Sequence, residues 1–261
     1  MMKFDMHCHT KEGSIDSKVS IETYITTLKE QGFDGLLVTD HDSYKGYKYW
    51  KKNKNEMPHK DFVVLEGVEY DTKDAGHFIV IMPNNVHLRV LQIRGMSIDL
   101  LTKIVHHFGG ILGPAHPFGV RSSSAMFFNR MKKDPHMINV FDFIEGFNTC
   151  ESEKSNRIAK LLARRYGKQC IGGTDAHEEQ YLGMAYTEIN AHIRSNDDLI
   201  KAIKGGKIVS CGGTVREYTK KTKHKNAFYG VWGFKAYNRG LGFIYSPYRY
   251  HRVKKLALHH R

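Results

Sequence analysis

Histidines and carboxylates stand at the ends of most apolar segments of this 261-residue chain. His7 and His9 form one pair, and Asp175 and His177 form a second pair with the same two-residue spacing. Side chains two residues apart in a strand point to the same face, so each pair can approach one ion. Single candidates stand at or near other predicted strand ends, at Asp16, His41, Glu69, His77 and His116. Imidazole and carboxylate donors without a thiolate favour Zn, Mn or Fe.

The segments that carry these residues alternate between strand and helix patterns. Short apolar runs predict strands at 3–6, 36–39, 62–68, 77–82, 111–115, 140–144, 170–172 and 207–211. Apolar residues at helical spacing predict helices at 21–30, 98–108, 154–166 and 197–204. This alternation predicts a mainly parallel sheet, either a barrel or a doubly wound sheet. In both folds the carboxyl ends of the strands meet at one face, which would bring the histidines and acids together.

A structural explanation competes with the metal site, because a single histidine at a strand end is more often a hydrogen-bonded residue than a ligand. The chain also contains 16 histidines, so some of them fall at strand ends by coincidence. Burying several ionisable groups without partners is costly, however. A cluster of cations shared by these groups removes that cost, and the number of candidates therefore favours the metal site.

Composition and cysteine usage indicate a globular protein of the cytoplasm. The chain is 41% hydrophobic and 26% charged, and no run of about 18 apolar residues predicts a transmembrane helix. The N-terminus lacks the apolar stretch of a secretory signal. Cys8, Cys150, Cys170 and Cys211 form no CxxC pair, which argues against a zinc ribbon and favours free thiols in a reducing compartment.

The positive charge is concentrated at the C-terminal end of the chain. Of the formal net charge of +13, residues 216–261 contribute +11 and residues 1–215 only +2. We therefore predict a body at 1–213 and a basic, aromatic extension at 214–261. Its cations and aromatic rings suit nucleic acid. An anionic membrane surface, or packing of the aromatic residues back on the body, would explain the same composition.

Eight short motifs occur in one order over roughly residues 3–190. They are DMHCHT (5–10), Asp16-Ser17, VTDHD (38–42), EGVEY (66–70), GHFIV (76–80), PAHPFG (114–119), FIEGFN (143–148) and GGTDAH (172–177). Together they resemble the polymerase and histidinol phosphatase (PHP) superfamily, in its stand-alone phosphoesterase type. The resemblance implies a distorted, TIM-like (β/α)7 barrel, with two or three divalent ions (Mn, Fe or Zn) at the C-terminal ends of the strands.

The resemblance also implies how the ligands are shared among three ions. His7, His9, Glu69 and Asp175 would hold the first ion. The second would be held by Glu69, which bridges, with His77 and His116. The third would be held by Asp16, His41 and His177. Asp40 and Glu145 would orient the ligand imidazoles from outside the cluster.

The activity that the resemblance implies is hydrolysis of a phosphomonoester, either a small phosphorylated metabolite or a nucleotide. As a hypothesis, metal-activated hydroxide would attack phosphorus, and the metals and Arg121 would neutralise the phosphoryl oxygens. His177, Asp16 or a metal-bound water would relay a proton to the leaving oxygen. The alternative function is a nuclease or nucleic-acid-binding protein that holds RNA or DNA through residues 214–261. A third is a scaffold that has lost activity, against which the complete ligand set argues.

Overall fold

Ten strands and six α-helices are present in the computed structural model, which describes residues 1–120 and 122–217, and positions 233, 236, 247 and 251. The strands are β1 (Met2–Cys8), β2 (Gly35–Val38), β3 (Val63–Glu66), β4 (Val68–Thr72), β5 (Gly76–Ile81), β6 (Ile111–Pro114), β7 (Phe143–Asn148), β8 (Gln169–Gly173), β9 (Ala185–Ile189) and β10 (Ile208–Gly213). The helices are α1 (Ile21–Glu30), α2 (Lys45–Asn53), α3 (Ile98–His107), α4 (Asn129–Lys133), α5 (Glu153–Arg165) and α6 (Asn196–Lys204). Short 3-10 helices occupy Arg89–Gln92, Ala125–Phe127, Pro135–Val140 and Glu179–Tyr181.

All four helices predicted from the sequence begin at serine caps. The hydroxyl groups of Ser20, Ser97, Ser152 and Ser195 each accept a hydrogen bond from the backbone N–H three residues further on. Such a cap satisfies one of the amide groups that a helix leaves without an internal partner. In α1 the apolar positions at helical spacing are buried against β2. The helix pattern in the sequence therefore located α1, α3, α5 and α6.

The strands form three sheets of mixed direction, with orders β10-β9-β1-β2-β3, β4-β5-β6 and β7-β8. The expectation of a mainly parallel sheet is wrong, because four of the seven strand pairs in the described part of the chain are antiparallel. One cause is the three-residue connection between β4 and β5. A connection this short permits only a hairpin, whereas parallel strands need a crossover of a dozen residues or more.

The predicted strand 62–68 is two strands, since the chain turns at Gly67 between β3 and β4. The Gly67 N–H donates to the carbonyl of Val38, so the turn is fixed against the end of β2. As a result, Glu69 lies near the start of β4 and not at the end of a strand. An isolated bridge pairs Glu69 with His41, which brings the carboxylate beside the end of β2 all the same.

The α/β class is confirmed, but the described strands do not form one closed barrel. Hydrogen bonds nevertheless link neighbouring sheets, from Asp142 N to Leu112 O at 2.9 Å and from Asp175 N to His7 O at 2.8 Å. One apolar cluster takes side chains from eight strands: Phe4, Leu37, Leu65, Ile79, Ile111, Phe143, Ile171 and Ile189. The strands thus surround a common core beneath the edge where β1 and β8 end.

The extension predicted at 214–261 lies outside the described residues except for 214–217 and the four isolated positions. None of the helices in the described part of the chain has the length and apolar content needed to span a membrane.

Candidate metal centre

The strand β1 delivers two imidazoles to one point. Nε2 of His7 lies 3.0 Å from Nε2 of His9, and both side chains are fully buried. Cys8, between them, packs on the other face against the apolar residues of α1. The alternation of side chains along a strand therefore produces the expected HxH pair.

Glu69 is the centre of the cluster. Its carboxylate is 1% exposed and has the side chains of five histidines around it. Oε1 lies 2.9 Å from both His77 Nδ1 and His116 Nε2. Oε2 lies 2.8 Å from His41 Nδ1, 3.3 Å from His9 Nε2 and 3.6 Å from His7 Nε2.

Asp175 and Asp16 complete the cluster from two other segments. Oδ1 of Asp175 lies 3.2 Å from His9 Nε2 and 3.7 Å from His177 Nδ1. Oδ2 of Asp16 lies 3.3 Å from His177 Nε2. Asp175 and His116 both have a positive φ, of 51° and 30°. Strained backbone of this kind collects at functional sites, where the surrounding structure holds it.

The structure therefore brings all nine candidate ligands into one site. Three groups have donor atoms that all lie within 4.8 Å of one another: His7, His9 and Asp175; His9, His41 and His177; and His41, Glu69 and His77. His116 reaches the cluster through Glu69, and Asp16 reaches it through His177. The grouping overlaps with the three sets that the family resemblance implies, without matching them residue for residue.

The donor atoms are better suited to coordinate divalent cations than to hydrogen-bond with one another. Several buried atoms form no hydrogen bond within the described part of the chain: Asp16 Oδ1, His77 Nε2 and His177 Nε2. Leaving a buried polar atom without a partner costs about 1–3 kcal/mol. A cation among them would satisfy these lone pairs together, and the mixture of imidazole and carboxylate suits Zn, Mn or Fe.

In the protein without metal ions, the pKa values of the clustered residues reflect how closely they contact one another. Burial lowers the pKa of His9, but hydrogen bonds with Asp175 and Glu69 outweigh burial and raise that pKa to about 10. For His77, burial is likewise outweighed by Glu69, and the pKa rises to about 9. Burial raises the pKa of Glu69 and of Asp175, but the neighbouring histidines hold both well below their usual range. Without cations, protons therefore balance the carboxylates.

Glu145 and Asp40, the two residues expected to orient imidazoles, differ in how they contact them. Oε1 of Glu145 lies 2.9 Å from Nδ1 of His7, in direct contact as expected. Asp40 instead accepts hydrogen bonds from Thr10 N at 2.7 Å and from Ser14 Oγ at 3.1 Å. Ser14 Oγ in turn lies 3.2 Å from Nδ1 of His9, so Asp40 acts on that imidazole through a hydroxyl group.

Other contacts to the cluster were not found from the sequence. Ser124 Oγ lies 3.2 Å from Nδ1 of His116. Nδ2 of Asn148 donates to Glu145 Oε2 at 3.2 Å and to Asp175 Oδ2 at 3.4 Å. The FIEGFN motif already contains Asn148, so its position beside Glu145 was a signal that could have been used. Arg121 lies outside the described residues.

A cavity of about 450 Å³ opens on the side of His41. Ser14, Asp42 and Lys45 are among the residues that line it, and the Lys45 side chain is exposed. The cavity therefore gives solvent and small molecules a route to the cluster.

Residues 153–208, from α5 to the start of β10, match a family model described as PHP-associated. No curated protein matches the chain in a sequence search. Among solved structures, PsfC from Pseudomonas syringae PB-5123 is 14% identical, with a TM-score of 0.58 over 100% of this chain and 99% of that one.

Two further structures share the fold. The lesion-specific endonuclease PfuEndoQ from Pyrococcus furiosus is 17% identical with a TM-score of 0.61, over 80% of this chain and 58% of that one. A protein described as a metal-dependent phosphoesterase, from Bifidobacterium adolescentis, is 16% identical with a TM-score of 0.54, over 77% of this chain and 95% of that one. At these identities the likeness establishes the fold.

Fold and site together define an α/β protein with a buried centre of histidines and carboxylates suited to divalent metal ions. The PHP-associated match over residues 153–208 and the shared fold support the resemblance to the PHP superfamily recognised in the sequence.

Proposed function

We propose that this chain is a metal-dependent phosphoesterase that hydrolyses a phosphomonoester of a small metabolite or a nucleotide. The observation that carries the proposal is the contact of one buried carboxylate, Glu69, with five imidazoles beside Asp175. Two or three ions of Mn, Fe or Zn fit this donor set. The proposed ligands are His7, His9, Asp16, His41, Glu69, His77, His116, Asp175 and His177.

The ions, when bound, would supply Lewis-acid chemistry at phosphoryl oxygens and activation of water at neutral pH. The protein's own residues place the imidazoles and move a proton. Glu145 holds Nδ1 of His7, which directs Nε2 of that ring toward the cluster. His177 is the most exposed of the nine side chains, at 16%, and Asp16 lies 3.3 Å from its Nε2. We assign this pair the relay of a proton to the leaving oxygen.

The size and charge of the site support a small substrate. Pockets for small molecules have volumes of about 300–1,000 Å³, and the cavity beside His41, at about 450 Å³, falls within that range. Residues 1–215 carry a formal net charge of only +2, so the body lacks the excess of cations that long nucleic acids require. Lys45 at the cavity mouth supplies one positive charge for an anionic ligand.

The strand core supports a more specific fold assignment, the distorted (β/α)7 barrel. Side chains from eight strands, all except β4 and β10, share one buried apolar cluster, and hydrogen bonds link β6 with the start of β7 and β1 with the end of β8. We retain the cytoplasmic location as a prediction, based on the four free cysteines. The domain division at residue 213 also remains a prediction.

The test is a screen of metal-reconstituted full-length protein. Protein loaded separately with Mn, Fe or Zn is incubated with phosphomonoesters, nucleotides and short RNAs, and released phosphate is measured. The proposal expects turnover of at least one monoester by the loaded wild type and none by the Asp175→Ala variant. Inactivity of every loaded form toward all monoesters would reject it and favour the scaffold.

A second candidate, a nuclease, is favoured by one specific observation. A groove of about 440 Å³ lies between α5 and the end of β10, and Arg157, Lys160 and Arg164 line it on one face of the helix. Clustered cations bind phosphate backbones in a salt-dependent way. Cleavage of short RNA or DNA, lost on deleting residues 218–261 or at high salt while monoester hydrolysis persists, would favour the nuclease.

A further inference from the structure

Arg216 follows β10 directly and is fixed to the rim of the cluster. Its backbone N–H donates to the carbonyl of Thr149 at 2.9 Å, and Thr149 N donates to Gly173 O at 3.3 Å. Two residues earlier, Thr214 N donates to Met184 O at 2.7 Å. The chain is thus held against the ends of β7 and β8 just where Asp175 begins the loop that carries His177.

The strand directions place the residues that follow β10 at the edge of the sheet that carries the metal centre. β10 runs antiparallel to β9, and β9 runs antiparallel to β1. β10 therefore runs in the same direction as β1, and both end at the edge that holds His7, His9 and Asp175. The position of Arg216 at the site follows from the topology as well as from individual hydrogen bonds.

The Arg216 side chain is charged, half-buried and without a salt bridge to the described residues. The guanidinium carbon lies 5.4 Å from the centre of the Tyr181 ring, which holds it by a cation–π contact. Burial lowers the pKa of Arg216, but Cys150 and Asp175 outweigh burial and raise it, so the group keeps its charge. The neighbouring Thr149 hydroxyl is fully buried and also forms no hydrogen bond within the described residues.

Two other cations near the cluster have acidic partners. The Arg94 guanidinium lies 2.8 Å from Asp42 Oδ2, and Lys18 Nζ lies 3.4 Å from Glu178 Oε1. Arg216 is close enough to Asp175 to feel its charge, yet no carboxylate oxygen of the described residues lies within salt-bridge distance of it. Among the described residues, its donors therefore have no carboxylate partner.

We propose that Arg216 binds the non-bridging phosphoryl oxygens of the substrate on the Asp175 side of the centre. The planar fork of a guanidinium matches two phosphate oxygens. Because the Arg216 backbone is hydrogen-bonded to Thr149 and its guanidinium packs on the Tyr181 ring, the side chain is already oriented to bind them. This proposal rests on the proposed phosphoesterase function and adds the residue that positions the substrate's phosphate.

The test uses inorganic phosphate as the probe and metal-reconstituted full-length protein. Isothermal titration gives the phosphate Kd, and elemental analysis gives the metal content of each variant. Arg216→Gln keeps much of the side-chain length and removes the charge, and we expect its Kd to rise about 10- to 100-fold with unchanged metal content. Arg216→Lys keeps the charge without the fork and should fall between Arg216→Gln and wild type. Arg194→Ala, at an exposed position on the approach to α6, is the matched control and should bind phosphate as wild type does.

A phosphate Kd for Arg216→Gln within twofold of wild type, at equal metal content, would overturn the proposal, as would a wild type that binds no phosphate. Should Arg216→Gln lose metal or unfold, Arg216→Lys decides, and a wild-type Kd for that variant counts against the proposal. A wild type that binds phosphate through Arg216 but hydrolyses no monoester would reject the proposed function alone. Active wild type with an unaffected Arg216→Gln variant would reject the arginine's role alone.

Discussion

Oε1 of Glu145 lies 2.9 Å from Nδ1 of His7, while its other carboxylate oxygen accepts the backbone N–H of His116 at 2.5 Å. One buried side chain on β7 thus sets the ring orientation of a residue on β1 and holds the positive-φ backbone of a residue after β6. Because the Nδ1 position of His7 is engaged, its Nε2 faces Glu69 and Asp175.

Replacing this carboxylate should weaken metal binding without removing a ligand. In Glu145→Gln the amide cannot accept at both positions, so either His7 or the His116 N–H loses its partner. Removing such an outer contact typically costs about 10- to 100-fold in metal affinity. Competition with a chelator measures the change, and Glu56→Gln, an exposed acid, is the control. Equal affinities of the two variants would contradict this role of Glu145.

Asp175→Ala should have a larger effect, because it removes a carboxylate that lies within 3.7 Å of three imidazoles. We expect turnover to be abolished and the metal content per chain to fall. The loss should exceed the about 10- to 100-fold expected for an outer contact. Released phosphate and elemental analysis on the same sample measure both effects, and full activity of the variant would reject the assignment of Asp175.

Much of the site could be predicted, because a ligand residue is recognised by its type and by its position at the end of a strand. Where a strand ends at the shared edge, its terminal His or Asp must enter the site, as for His7, His41 and Asp175. The pattern of apolar residues located these ends to within a few positions. Glu69 was identified by motif, although it stands at the start of β4 and not at the end of a strand.

Contacts that depend on pairing across the fold could not be predicted. Serines are common, and nothing in the local sequence marks Ser14 or Ser124 as partners of imidazoles. The antiparallel setting of β9 and β10 is decided by packing of distant segments, and it brings Arg216 to the site. Helix α2 was missed because its apolar face is short: only Tyr47 and Trp50 pack against the core, and both stay partly exposed.

A glycine beside the centre should tolerate no side chain. A Cβ added at Gly173 would lie 2.3 Å from the Cβ and 2.4 Å from the backbone nitrogen of His7. The Gly173→Ala variant must push β8 away from β1, and overpacking of this kind costs about 1–3 kcal/mol in the free energy of unfolding. Urea denaturation measures it. Gly212→Ala, whose new Cβ would approach Tyr186 no closer than 3.3 Å, is the control, and equal stability of both variants would contradict the prediction.

Two thiols far apart in sequence meet across β8 and β10. Cys170 Sγ lies 2.9 Å from Cys211 Sγ, and both residues are half-buried. We expect a hydroperoxide to oxidise this pair to a disulfide, with two hydrogens transferred to the oxidant, which is reduced to alcohol and water. Cys8 should stay unmodified because it is fully buried and burial raises its thiol pKa. Non-reducing peptide mapping identifies the bond, which Cys150→Ser should retain and Cys170→Ser should lose.

Metal binding and stability should depend on pH with opposite signs. In the protein without metal, the folded-state pKa values of His77 and His9, about 9 and about 10, lie above the ordinary histidine value of 6.5. Their contribution to stability is therefore complete below pH 6.5 and is lost as the pH rises to about 10. Urea denaturation of metal-free protein should show the free energy of unfolding falling across this window.

Metal ions need the same imidazoles in neutral form, so binding must release protons. Metal affinity should therefore rise with pH over the window in which the metal-free protein loses stability. Isothermal titration in two buffers of different ionisation enthalpy measures the protons released at pH 7. The His9→Gln variant should release fewer, whereas His136→Gln, at an exposed position, should match wild type. Because only cations that displace protons from the buried imidazoles produce this coupling, heats of binding independent of the buffer would place the metal ions outside the cluster.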